Sequence, residues 1–331
     1  MEDNWPLVTV FTLIYNTNPR YIIEAIESVK ANNYPNLQHI IIDDYSPDPG
    51  PKETVKKWIA ENNYNCEFYE HELNYGICKT LNHALSLTKG KYYFGCSDDL
   101  VKPDKLFRQV QQFESLSSEY AIVYSDTEMI DSNGNNIGSI FSHFRKLDTG
   151  PEGYITEELF LGNFIHLSSA LVKTQCHDTA GGFNEKLIVE DIDMLLRISL
   201  KFKFKFDKTP SAEYRIHGES LLNTIGIKGL EQNLLSLSPF HKYSKKTKEH
   251  YINYLTYCNN IFHKSDYVTW KKWFKKRWQV RKDLQGFVSL IKSLLNITYN
   301  REIKYIKPFL KIKLYKIKEF IFKKIRPHEI K

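Results

Sequence analysis

The sequence predicts an α/β fold with a mostly parallel central sheet and a helical C-terminal extension, and three observations lead there. Short β-branched runs alternate with helical segments of about ten residues, the pattern of parallel strands joined by crossover helices. Two of the predicted strands end in adjacent carboxylates, Asp43-Asp44 and Asp98-Asp99. The charge also changes sign along the chain. Residues 1–224 carry 21 basic and 32 acidic side chains, whereas residues 225–331 carry 25 and 7. The net charge of +7 therefore describes neither part, and a boundary is expected near residue 225, between an α/β domain (1–224) and a basic, aromatic-rich helical region (225–331).

The elements follow in order. LVTVFTLI (7–14) is apolar and β-branched almost without a break, which suits a strand buried on both faces. Tyr21, Ile22, Ala25, Ile26 and Val29 recur at helical spacing, and a Tyr34-Pro35-Asn36 turn leads to a second buried run, HIIIDD. Residues 51–62 read as a helix, 66–70 as a short strand, 78–87 as a third helix and 91–96 as the next strand. Beyond Pro103, 105–113 reads as a helix, 121–125 as a strand, 131–134 as a turn, 164–173 as a strand and 191–200 as an amphipathic helix. Helical periodicity then runs from Asn223 to the end.

Composition excludes several classes. With 42 % apolar and 14 % aromatic residues the chain is not disordered throughout. It has no uncharged apolar run of about 20 residues, so a spanning helix is not expected. The N-terminus starts acidic and lacks the basic lead and apolar stretch of a secretory signal, and the five cysteines form no Cys-x-x-Cys pair. Reduced, mostly buried thiols in a cytoplasmic protein are expected. No lysine-bearing phosphate loop and no Gly-x-Gly-x-x-Gly after a strand is present, which disfavours nucleoside triphosphate hydrolysis and dinucleotide redox chemistry.

Ligands of parallel sheets bind at the carboxyl ends of strands, where both acidic pairs fall. Adjacent carboxylates repel unless a cation is present, so Asp98-Asp99 suits Mg²⁺ or Mn²⁺ shared with a diphosphate; the plainer account is a turn that caps a helix. Asp43-Asp44 either accepts hydrogen bonds from a base or ribose or caps the following turn. Asp191 stands at a predicted helix start after Gly181-Gly182-Phe183, where a carboxylate stays ionised and can serve as a base. Arg197 has an acid on its own helix to pair with. His217 is either structural or a ligand to a divalent ion beside carboxylates.

Taken jointly, VTVFTLIYN, YPNLQHIIIDDYS, NYGICKTLNHALSLTKGKYYFGCSDDLVKPDKL, GGFNEKLIVEDIDMLLRIS and AEYRIHGES give the sequence a clear resemblance to the family 2 glycosyltransferases of the GT-A fold, over residues 7–224. The resemblance implies roles. Thr12 and Tyr15 would line the nucleotide pocket, Asp43 would read a uracil or thymine imide, and Asp44 would cap or contact ribose. Asp98 would contact ribose and Asp99 would hold the metal, with His217 completing its shell. Asp191 would be the base for in-line attack, inverting the anomeric carbon. Two departures stand out: Leu13-Ile14 replace the usual Pro and small residue, and Leu81 replaces an Arg, for which Lys79 is a candidate substitute near the phosphates. The implied donor is a UDP-hexose, with a dTDP-sugar as second choice.

In the last segment, Ile303, Ile306, Leu310, Leu314, Ile317, Ile321 and Ile325 form one apolar stripe flanked by lysines. Such a helix suits an anionic membrane surface, or it packs its stripe on the catalytic domain. Nucleic acid is not an expected partner, because the α/β part is acidic. The expectation is an enzyme peripheral on the inner face of the cell membrane, extending a surface glycan of the O-antigen or capsule kind on a lipid carrier. A binding or scaffold protein that has lost catalysis is the alternative; it would lack Asp99 or Asp191, and both are present.

Overall fold

Strand β1 (Val8–Ile14) is the sheet's organising strand because nearly every side chain on it is apolar or Thr, so it can be covered on both faces. It pairs in parallel with β2 (Leu37–Asp43) on one side and β4 (Tyr92–Gly95) on the other; Val8 stands opposite Leu37 and Tyr92. The short β3 (Glu67–Glu70) extends the parallel set beyond β2. Past β4 the sheet turns mixed. It continues through β8 (Ala170–Lys173), β6 (Tyr120–Ile130), β9 (Lys203–Arg215) and β5 (Leu100–Val101), in the order β3-β2-β1-β4-β8-β6-β9-β5, with β7 (Asn136–Ser139) hung on β6. In this computed structural model, the described residues are 5–218 and 226–265, with positions 269, 272, 273 and 276.

Helices α1 (Pro19–Ala31), α2 (Gly50–Glu61) and α4 (Lys105–Ser115) cover one face. Helix α1 is capped by the Asn18 side chain, which accepts the Arg20 N–H, and it starts with Pro19 at a position where no amide donor is needed. Its Ile22 and Ile26 meet Ile14, Ile41 and Val55, while Ala25 and Val29 join Val8, Val10, Phe94 and Leu106. Full burial of each such isoleucine contributes about 1.5–3 kcal/mol. Helix α3 (Ile77–Leu87) and helix α7 (Asp191–Ser199) lie on the other face, where the Tyr93 hydroxyl reaches Met194.

Two expectations change. The strand expected over residues 164–173 is confined to Ala170–Lys173. The His166 carbonyl accepts the N–H groups of Ser169 and Ala170, closing a turn that competes with extension. Conversely, β9 runs thirteen residues through a charged stretch containing Pro210, accommodated by a register shift opposite Ser125–Thr127. Between β7 and α5 (Thr156–Leu161) a π-helical turn, Phe141–Arg145, also went unforeseen.

Contacts divide the chain into two units, Met1–Tyr254 and Leu255–Lys331, a division later than the compositional change at residue 225. In the first unit, α8 (Gly226–Leu237) packs on α7, and the Ile188 N–H donates to Gln232. The start of α9 (Lys245–Ser265) is tied to α5 through Lys246 and Glu157, 3.1 Å apart. The apolar stripe of residues 303–325 lies outside the described residues. No described helix is long and apolar enough to cross a membrane. Cys66 is partly exposed, Cys78, Cys96, Cys176 and Cys258 are buried, and all five are free thiols.

Candidate active site

The antiparallel pairing of β5 with Ala212-Glu213 of β9 brings the end of β9 alongside Asp98-Asp99, which lie between β4 and β5. His217 Nε2 and Asp98 Oδ2 are 2.8 Å apart. The Arg215 N–H donates to Asp99 Oδ1 at 3.1 Å, and Arg215 Nε donates to the Asp98 carbonyl at 3.1 Å. The Arg215 side chain is fully buried. It pairs with Glu24 of α1 at 2.7 Å and lies 4.5 Å from the Tyr21 ring, whose other neighbour is His217. A strand end and α1 thus hold both carboxylates rigidly.

Burial, and then the charge of Asp98, push the Asp99 carboxyl well above the usual carboxylate range. A divalent cation would relieve both causes at once, so the residues fit one. Among the described residues no three His, Cys, Asp or Glu side chains converge as a ligand set. The protein would therefore supply one or two ligands and the substrate phosphates others, the habit of Mg²⁺ and Mn²⁺. His217 bonds to Asp98, so it could contribute to a metal shell through that carboxylate.

A second carboxylate pair, Glu190-Asp191, stands at the start of α7. Asp191 opens α7, its Oδ1 accepting the Ile192 N–H and its Oδ2 accepting Asn163 Nδ2, both at 2.6 Å. Burial raises its pKa. Burial and the neighbouring Asp191 raise that of Glu190 as well. The approach to Asp191 is locked from two helices. Asn82 of α3 receives the Phe183 N–H at 2.7 Å and donates to the Phe183 carbonyl at 2.9 Å. Arg197, paired with Asp193 on its own helix as expected, also donates to the carbonyls of Ala180, Gly181 and Gly182. Gly182 is required here, since a Cβ would stand 2.5 Å from Asn82 Oδ1.

Tyr214 joins the two pairs. Burial and then the charges of Asp99, Asp98, Asp191 and Glu190 all push its phenol upward, and its ring lies 4.5 Å from that of His166. Burial, and then Arg145, push His166 down to about 4, so it is neutral at pH 7. Asn163, His166 and Tyr214 were not foreseen. Tyr214 sits inside the Tyr-Arg-x-His block and could have been found there; Asn163 and His166 come from a turn with no signature of its own.

The expected donor side divides. Thr12 and Asp43 are both fully buried and engaged within the protein. The Thr12 hydroxyl donates to the Cys96 carbonyl and meets His39 Nε2, while Asp43 accepts the Ser46 hydroxyl and N–H. Asp44 is also internal, capping the 74–76 loop by accepting the N–H groups of Tyr75 and Gly76 and meeting His71, itself bonded to His83. Tyr15, Tyr45 and Tyr75 are about half exposed; Tyr45 holds a left-handed φ of 60°. Their backbones adjoin, since the Asp44 N–H donates to Ile14 and the Asn16 N–H to Ser46. Lys79 is exposed on the first turn of α3 and makes no ion pair among the described residues.

The description "Glycosyl transferase family 2" matches residues 9–166, from β1 through both acidic pairs to His166. Residues 9–166 are thus a family 2 glycosyltransferase domain. Among relatives of the glycosyltransferase, an uncharacterized glycosyltransferase of Rickettsia bellii is 28% identical over 251 residues, 73% of this chain and 34% of its own length. WcaA of Escherichia coli, a glycosyl transferase named for colanic acid biosynthesis, is 25% identical over 66% of this chain and 76% of its own. The chain spans only 34% to 39% of the first curated relatives it matches. Among solved structures, S. aureus TarS 1-349 in complex with UDP-GlcNAc superposes with a TM-score of 0.60 at 16% identity, covering 83% of this chain and 81% of that one. The mannosyltransferase PcManGT of Pyrobaculum calidifontis, in complex with GDP-Man and Mn²⁺, gives 0.59 at 14% identity, over 90% and 82%. The glycosyltransferase therefore has the GT-A fold. Asp191 and His217 lie beyond the matched segment and rest on the geometry above.

Proposed function

We propose that this glycosyltransferase moves a hexose from a nucleoside diphosphate, UDP in preference to dTDP, to a hydroxyl of a glycan acceptor, with inversion and with a divalent metal. The observation that carries this reading is a carboxylate at the start of α7 held by Asn163 and the Ile192 N–H, together with Asp98-Asp99 held by Arg215 and His217. Asp191, with Asn163 and the Ile192 N–H fixing its two oxygens, takes the proton of the attacking hydroxyl, and its raised pKa makes it a stronger base than an ordinary aspartate. Asp98 and Asp99 face the departing diphosphate. Mg²⁺ or Mn²⁺, held by Asp99 with Asp98 and His217 behind it, would neutralise the charge that develops on the leaving group. Tyr15, Tyr45 and Tyr75 form an aromatic rim near Asp43 and Asp44 and suit the flat face of a base.

The acceptor in this reading is a glycan on a lipid carrier, in assembly of a surface polysaccharide at the inner membrane face. The colanic acid name of the WcaA relative supports the polysaccharide, and the basic region of residues 225–331 supports the anionic surface. Its domain limits, 1–224 and 225–331, belong to the same proposal. The decisive test measures nucleotide release from a panel of UDP- and dTDP-sugars with Mn²⁺ and lipid-linked acceptors. Asp191→Asn should slow transfer about 10²–10⁴-fold, the contribution of a general base. Equal rates in the variant and wild type would remove Asp191 from the mechanism. Flotation with anionic vesicles at rising salt tests the membrane arm, and absence of binding at low salt refutes it.

A further inference from the structure

The π-helical turn Phe141–Arg145 adjoins Asn163, the partner of the base, and its last residue is exposed and makes no ion pair among the described residues. Arg145 Nε donates to the Asn163 carbonyl at 2.7 Å, and Asn163 in turn holds Asp191. Gly162 makes room for it, since a Cβ there would stand 2.5 Å from Arg145 Nη1. Arg197 is committed to Asp193 and three carbonyls, and Arg215 to Glu24 and the Asp98 carbonyl, although the buried Arg215 Nη1 has no hydrogen-bond partner among the described residues. Among the described residues Arg145 makes no ion pair, and neither of its terminal nitrogens makes a hydrogen bond. Lys146, which follows in a left-handed conformation with φ 51°, pairs with no acid either. Burial, and then the charge of Arg145, lower both His166 and His250. Arg145 is exposed, so the fork of its guanidinium stands open to an oxyanion arriving from solvent. The turn also has room to adjust. A cavity of about 430 Å³ lies against it, lined in part by Phe141, Ser142 and Leu147.

We infer that Arg145, with Lys146 beside it, forms an anion subsite that binds a phosphate group of the acceptor. This rests on the transferase reading above and deepens it. Because Asn163 stands between Arg145 and Asp191, the bound phosphate is set back from the attacking hydroxyl. Arg145 thus selects an acceptor whose reactive sugar is phosphate-bearing, the chemistry that both a lipid diphosphate carrier and a soluble sugar phosphate present.

The test has two arms. In metal-free buffer, where Asp98 and Asp99 have no ion to attract a phosphate, methyl phosphate is titrated into the full chain and followed by NMR for wild type, Arg145→Lys and Arg145→Ala. Binding should weaken at least about tenfold in Arg145→Ala, the worth of one charge-assisted contact, with Arg145→Lys between. Acetate should bind wild type more weakly than methyl phosphate. Equal affinities across the three proteins, or acetate binding as tightly as methyl phosphate, overturn the subsite. The second arm compares a hexose 1-phosphate with the matching methyl hexoside as acceptor. Wild type should prefer the phosphate, and Arg145→Ala should lose that preference; an unchanged preference overturns the proposal. A short prenyl diphosphate glycan against the soluble sugar phosphate then separates the two sources. If no donor is turned over by any protein, the transferase reading fails, while the methyl phosphate titration still decides the subsite. Thermal melts confirm that each variant folds, and the Arg145→Lys comparison stands should Arg145→Ala not.

Discussion

Removing the Asn163 amide should displace the acid limb of the pH–rate profile, because that amide supports the ionised form of Asp191. The structure places Asn163 Nδ2 at 2.6 Å from Asp191 Oδ2 in a half-buried site whose desolvation already raises the carboxyl. A hydrogen bond to a charged group contributes about 1.5–3 kcal/mol, and a shift of one pKa unit is about 1.36 kcal/mol. Solvent access to the site argues for the lower end. Asn163→Ala should therefore raise the apparent pKa of the acid limb by about 1 unit. The sign is fixed: losing a donor to the charged form favours the protonated form, so activity at acidic pH falls while the plateau at higher pH is kept. Asn163→Asp sets a like charge at the same distance and should move the limb further in the same direction. The assay is kcat against pH with a saturating donor and acceptor, beside a melting curve at each pH. Because Glu190 shares the site, the limb reports the pair rather than Asp191 alone. An acid limb that stays in place, or moves to lower pH in either variant, refutes the argument that Asn163 tunes the base.

Other outcomes follow from single contacts. Tyr45→Gly relieves a left-handed backbone at φ 60° and should stabilise the protein by about 0.5–1 kcal/mol, read as a higher Tm, while raising the KM for donor through loss of an aromatic rim residue. Glu24→Ala leaves the fully buried Arg215 guanidinium without its partner. It should lower stability by about 2–3 kcal/mol in urea unfolding, discounted from a fully buried pair because Glu24 is partly exposed. Lys105 is buried with Nζ on Gln109 and the Ala170 carbonyl, and burial pushes its pKa down to about 7. Between pH 7 and its unfolded pKa the unfolded chain binds the extra proton, so stability should rise with pH by at most about 1.4 kcal/mol per unit, and Lys105→Met should flatten that slope.

Much of the architecture was legible from local patterns. Strands β1 and β2 appear as unbroken β-branched runs because both faces are covered, and helices α1 to α4 appear in the spacing of their buried side chains. Strand β9 was harder. Its lysine–phenylalanine alternation was overshadowed by charge and by Pro210, and only pairing along β6 draws the whole segment into extension. The turn at 166–170 failed in the opposite sense: its apolar residues read as strand, but Ser169 and the His166 carbonyl closed a local bond instead.

The candidate site divides along the same line. Residue type and order were enough to single out Asp98, Asp99, Asp191 and His217 as candidates, because carboxylates at a strand end and at a helix start have a recognisable local setting. What they touch was beyond reach, since each partner arrives from a distant part of the chain. Only folding brings Arg215 to Asp99, Asn163 to Asp191 and Tyr214 between the two acidic pairs. Tertiary packing likewise decided that Thr12 and Asp43 are fully buried, because exposure is a property of what surrounds a residue and not of the residue. Charge followed the same rule. The sign change along the chain could be read by counting, but a cation left without an acid, as at Arg145, exists only once every neighbour is in place.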